Sequence, residues 1–122
     1  MSDHPIVHIE LSAKNPQELS NFYHELFGWR IQHDEALNYT MFETKEGGLG
    51  GGFSPVSDDN PPGSVLIHIQ TDDIEASLRE IEAHGGQSIV PKTEIPATGW
   101  FAVFADPSGN KVGLYTPMHR QG

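Results

Sequence analysis

Ile6-Val7-His8-Ile9-Glu10-Leu11, and its counterpart Val65-Leu66-Ile67-His68-Ile69-Gln70, decide how this chain folds. Side chains alternate across a strand, so Val7, Ile9 and Leu11 share one face while Ile6, His8 and Glu10 share the other. In the second run Val65, Ile67 and Ile69 oppose Leu66, His68 and Gln70. Each run therefore offers an apolar side to a covering helix. Each also turns a histidine, with a carboxylate or an amide beside it, toward the opposite surface. Both lead into an amphipathic helical pattern.

After the first run, Asn15-Pro16-Gln17-Glu18 supplies an N-cap, a proline for the first turn and an acid three residues past the cap. Leu19, Phe22, Tyr23 and Leu26 follow at helical spacing and read as a buried face, and Gly28 ends the helix. Residues 29–33 and 38–44 read as strands. Five glycines stand between positions 47 and 52, but Ser54-Pro55 follows where a phosphate-cradling loop would need a helix. A strand that backbone or ligand approaches closely is the better reading.

Beyond a polar, turn-rich connector at 56–63 the order starts again. Thr71-Asp72-Asp73 caps a helix with Ile74, Leu78 and Ile81 inward, and Gly85-Gly86 stops it. A strand over 88–95 contains Pro91, which suggests an edge or a bulge. Trp100 to Ala105 is strongly β-prone, Asp106-Pro107-Ser108-Gly109-Asn110 is a tight turn, and 111–116 closes the pattern. An offset of 58 places Glu10 on His68 and superposes the two cap regions. The fold is thus α+β. A β-α-β-β-β module is used twice (5–55 and 64–117), and the open faces of the paired modules curl a mixed sheet around a cleft.

Composition narrows the partners. Seven basic against seventeen acidic residues give a formal charge of −10, which opposes nucleic-acid and anionic-membrane binding. The absence of cysteine removes disulfides, thiolate metal sites and a cysteine nucleophile. No apolar run reaches membrane-spanning length, and a cytoplasmic location is expected.

The chain resembles the vicinal oxygen chelate superfamily, which includes glyoxalases, bleomycin-resistance proteins and extradiol dioxygenases. The resemblance is carried by His8 through Gly28, with Phe22-Tyr23 and Leu26-Phe27-Gly28-Trp29, and by Thr71-Asp72-Asp73-Ile74 and Phe101 through Asn110. It implies a homodimer, a small-molecule substrate and lyase, isomerase or dioxygenase-type chemistry. It also implies a divalent metal held by one side chain from each of four strand positions. Carried over, these fall on His8, Gly51-Gly52, Leu66 and Gly113, of which His8 alone is a ligand type. A metal site needs about three protein ligands, so no metal or other cofactor is expected. The alternative is a displaced set of His8, Glu10 and His68, with the two-histidine, one-carboxylate composition of a non-haem iron site.

The leading expectation is therefore a glyoxalase-like protein that binds a small organic molecule in its cleft. His8 and Glu10 would be the catalytic pair, and His8, Glu10, His68, Trp100 and Tyr115 the ligand contacts. Glu43 reads as an exposed strand residue. His4, His24, His33, His84 and His119 read as non-functional. A non-enzymatic dimerisation or regulatory module is the third reading.

Overall fold

A computed structural model describes residues 4–45 and 47–118. Residues 1–3, Glu46 and residues 119–122, His119 among them, lie outside the described residues. The rest divides into two compact units. One is Val7–Leu66; the other joins residues 67–118 with 4–6.

The unit Val7–Leu66 contains most of β1 (Ile6–Ala13), then α1 (Pro16–Phe27), β2 (Arg30–Asp34), β3 (Tyr39–Glu43) and β4 (Gly50–Pro55). The side-chain oxygen of Asn15 accepts a hydrogen bond from the Glu18 N–H at 3.0 Å, which opens α1. Such a cap is worth about 1 kcal/mol. Gly28, at φ 73°, closes the helix. The strands run in the order β2-β3-β4-β1, with β1 and β4 parallel and the other pairs antiparallel. Ile9 lies opposite Gly51, Glu10 opposite Gly52 and Leu11 opposite Phe53.

The alternation of the opening stretch is realised here. Ala13, Phe42 and Phe53 form a buried cluster under Leu11, Leu19, Tyr23, Trp29 and Ile31. Tyr23 and Trp29 stack at 4.4 Å between ring centroids, and Trp29 continues onto Phe42 at 4.6 Å. Each such pair adds about 0.5–1.5 kcal/mol beyond the area it buries.

The expected buried face of α1 needs correction. Leu19 and Tyr23 pack inward, but Phe22 and Leu26 are 49% and 61% exposed. Successive residues turn by 100°, so the inward direction falls between Leu19, Ser20 and Tyr23 and Phe22 sits on its flank, whereas Leu26 nearly repeats the direction of Leu19 but stands in the last turn of the helix. Ser20, 2% exposed, takes a core position because its hydroxyl donates to the Gln17 carbonyl at 3.0 Å.

The second unit contains most of β5 (Val65–Gln70), then α2 (Ile74–Ala83), β6 (Gln87–Ile95), β7 (Gly99–Ala105) and β8 (Lys111–Pro117). Asp73 caps α2 through the Ala76 N–H at 3.0 Å. The order is β5-β8-β7-β6, with β5 and β8 parallel. The edge strand β6 carries register shifts between Ser88 and Val90 and between Val90 and Thr93, around Pro91. A proline that cannot donate to a ladder is tolerated there. Ile74, Leu78, Ala102, Phe104 and Leu114 form the core, with Ile69, Ile81, Trp100 and Val112 packed against it. Among the described residues no helix is long and apolar enough to cross a membrane.

Candidate functional site

On the face of the first sheet turned away from α1, three half-buried side chains form one hydrogen-bonded chain. The Tyr39 hydroxyl donates to Glu10 Oε2 at 2.8 Å, and His8 Nε2 lies 3.0 Å from the same phenolic oxygen. His8 and Glu10 reach that face through the two-residue period of β1, and Tyr39 reaches it from the start of β3. Gly52, buried opposite Glu10, makes room for the phenol: a Cβ at residue 52 would overlap the Tyr39 ring and hydroxyl. Burial first, then the negative charge of Glu10 and the hydrogen bond to it, push the Tyr39 phenol far above its ordinary value. Tyr39 is therefore a neutral phenol throughout the physiological range.

Sequence reasoning placed His8 and Glu10 on one face but missed Tyr39. The signal available was its alternation with Phe42 in β3, which sets Tyr39 opposite to the core.

The remaining candidates are distributed differently. His68 lies in the second unit, buried, opposite Gly113, and a Cβ on Gly113 would overlap its imidazole. Tyr115 shares that side of β8 two residues on, and its hydroxyl donates to the Thr98 carbonyl at 3.3 Å. Burial raises the Tyr115 phenol also.

Trp100 is on the other side of this sheet. It alternates with Phe101 and packs beside Ala102 and Phe104 on the core under α2, with Lys92 Nζ 5.2 Å from its ring centroid. Strand period separates Trp100 from Tyr115 and His68.

Glu43 pairs with Arg30 at 3.5 Å near the surface. Such an exposed pair contributes at most about 1 kcal/mol. His24, His84 and His4 each use Nδ1 on a backbone carbonyl, of Trp29, Glu80 and Gln70 respectively. His33 Nδ1 meets Thr40 Oγ1 at 2.9 Å.

The positions that the resemblance assigns to a metal do not fit one. At Gly51 a side chain would overlap the Ile9 carbonyl, at Gly52 the Tyr39 phenol and at Gly113 the His68 ring. Leu66 is apolar, and Nε2 of His8 is occupied by Tyr39. Among the described residues no group of three or more His, Cys, Asp or Glu side chains is arranged to hold a metal ion.

Two hollows of the first unit lie elsewhere. One, of about 430 Å³, is bordered by Ala13, Asn15, Leu19, Phe22, Val56 and Pro62. A second includes Gln17, His33, Thr40 and Phe53. Both open on the side that α1 covers, and neither is lined by His8, Glu10 or Tyr39.

Residues 5–114 match the family model of the glyoxalase/bleomycin resistance protein/dioxygenase superfamily, and the chain belongs to that superfamily. An uncharacterized protein of Mycolicibacterium smegmatis is 33% identical over 98% of this chain and 100% of its own length. The anthracycline biosynthesis protein DnrV of Streptomyces peucetius is 27% identical over 82% of this chain but 42% of its own length. The chain thus spans under half of that longer relative. Among solved structures, a Streptomyces coelicolor methylmalonyl-CoA epimerase in complex with 2-nitronate-propionyl-CoA superposes with a TM-score of 0.68. It covers 99% of both chains at 18% identity, a likeness of fold.

Proposed function

We propose that the face carrying His8, Tyr39 and Glu10 binds a small organic molecule and moves a proton on it, as in a lyase or isomerase step. On this reading the usual metal-ligand positions of the superfamily play no part. The observation that carries the reading is the continuous chain from Glu10 Oε2 through the Tyr39 hydroxyl to His8 Nε2. A carboxylate, a neutral phenol and an imidazole in series hold a proton acceptor in place and can stabilise the cation it becomes. His8 would be the general base and Glu10 its electrostatic support. In their own unit, His68 and Tyr115 are proposed as ligand contacts. Trp100 is left out because it packs on the core side.

The test is a ligand-observed NMR screen of small carboxylates, thioesters and 1,2-dicarbonyl compounds against wild type, His8→Gln and Glu10→Gln, in chelator-treated buffer. Hits that both variants weaken about tenfold or more support the reading. Hits that neither variant weakens overturn it. Binding without turnover would reduce it to sequestration. Activity that returns only with a stoichiometric divalent ion would favour the metal-dependent lyase or dioxygenase instead.

We also infer a homodimer. Its support is the family resemblance together with the apolar side chains that α1 leaves exposed, Phe22, Leu26 and Phe27, the last at 63%.

A further inference from the structure

One hollow on the α1 side has an unusual wall. Asn15, Gln17, His33, Asn38 and Thr40 give it polar side chains, and Pro16, Phe53 and Pro55 give it apolar surface. The chain has seventeen acidic and seven basic residues, yet no Asp, Glu, Lys or Arg lines this space. Its volume of about 330 Å³ stands at the lower end of the range for small-molecule sites, about 300–1,000 Å³.

Local structure sets the polar groups in place. His33 lies opposite Thr40 in the β2–β3 pair, and its Nδ1 is 2.9 Å from Thr40 Oγ1, which fixes the ring. The turn joining these strands is held by the Asp34 carboxylate, which accepts from the Leu37 N–H at 3.1 Å. It ends on Asn38 at φ 50°, left-handed backbone where glycine is the usual residue. Asparagine tolerates that conformation and brings a carboxamide with it. Among the described residues, neither that carboxamide nor His33 Nε2 makes a hydrogen bond within the chain. Across the hollow, Asn15 gives Oδ1 to the Glu18 N–H at 3.0 Å and keeps its NH₂ donors.

This lining decides the class of ligand. A cation finds no carboxylate on the wall, and an anion finds no base. A formal charge of −10 repels an anion from the molecule as a whole. The end of α1 does not compensate, because Pro16 has no N–H and the Glu18 N–H is already held by Asn15. Carboxamide, imidazole and hydroxyl groups together present donors and acceptors side by side. A ligand hydroxyl, itself both donor and acceptor, matches such a surface, and the prolines suit the C–H face of a saturated ring.

We propose that this hollow binds an uncharged polyol of monosaccharide size, with Gln17, His33 and Asn38 as its hydrogen-bonding contacts. The site is distinct from the His8 face and goes beyond the function proposed above, so either reading can fail without the other.

The test titrates D-glucose, D-galactose and N-acetyl-D-glucosamine, at millimolar concentrations, into ¹⁵N-labelled full chain. A neutral sugar is expected to shift the side-chain amide signals of Asn15, Gln17 and Asn38 together with the His33 backbone signal. Asn38→Gly keeps the left-handed turn and removes only the carboxamide. It should weaken binding roughly three- to tenfold, the worth of one net hydrogen bond, and Gln17→Ala should act in the same direction. D-glucuronate and D-glucosamine, similar in size but charged, should bind more weakly than the neutral sugars. The proposal is overturned if no neutral sugar moves these signals, or if the shifts centre on His8 and Tyr39 instead. Unchanged affinity in Asn38→Gly, or a charged sugar binding as tightly as a neutral one, would overturn it as well.

Discussion

The hydroxyl of Tyr39 stands over the backbone of Gly52, in the space a side chain at residue 52 would occupy. The same relationship recurs in the other unit, where the His68 imidazole stands over Gly113. In both units a ring covers a glycine on a strand parallel to β1 or β5.

Gly52→Ala should therefore displace Tyr39 and sever its bonds to His8 and Glu10. Forcing a methyl group into a filled site costs typically about 1–3 kcal/mol, and urea denaturation should show a loss in that range. Gly51→Ala should be worse, because the obstacle is the Ile9 carbonyl, a backbone group that cannot swing aside. Equal effects of the two substitutions would contradict this.

Tyr39 makes the stability of the fold sensitive to alkali. Its phenol holds its proton more tightly folded than unfolded, because of burial and Glu10. Its contribution is complete below the unfolded value of about 10 and is lost as pH rises above it. Denaturation midpoints measured from about pH 8 to 11.5 should fall steeply for wild type and less steeply for Tyr39→Phe. Tyr115, raised by burial, preserves part of the slope. Near neutral pH, Tyr39→Phe should cost about 1.5–3 kcal/mol for a lost bond to a charged group.

At the β7–β8 turn the sign is opposite. The side chain of Asn110 donates to Asp106 at 2.9 Å, and the Asn110 and Ser108 N–H groups each donate to it at 2.9 Å. The Asn110 side-chain and backbone bonds lead in holding the Asp106 carboxyl below its ordinary value. Its contribution is present above the unfolded value of about 3.9 and fades as pH falls. A carbon-detected NMR titration should find Asp106 ionising below that value, and Asn110→Ala should move it back up.

If the exposed apolar side of α1 meets a second copy, Leu26→Glu should convert a dimer into a monomer in sedimentation velocity experiments while leaving the circular dichroism spectrum intact. Phe22→Ser should weaken the dimer in the same direction. A monomeric wild type at micromolar concentration would remove the dimer inference.

Much of the architecture was readable from local chemistry. Asn15 and Asp73 cap helices, Gly28 and Gly85 end them, and Pro91 marks an irregular edge, because each acts on backbone a few residues away. The inward half of α1 was less readable. Phe22 and Leu26 have the same spacing as core residues, and only the placement of Trp29 over Tyr23 decides which side is covered.

By itself, the order of residues determined that His8 and Glu10 share a strand face, since alternation is a property of one extended backbone. It likewise determined that glycines 50 to 52 belong to a strand under close approach. Tertiary structure alone decided what approaches them. Tyr39 is twenty-nine residues from Glu10 in sequence, and β3 and β4 must be laid beside β1 before its hydroxyl can reach both partners. Strand pairing is a long-range choice, and with it came the phenol that joins His8 to Glu10 and the packing of Trp100 against the core.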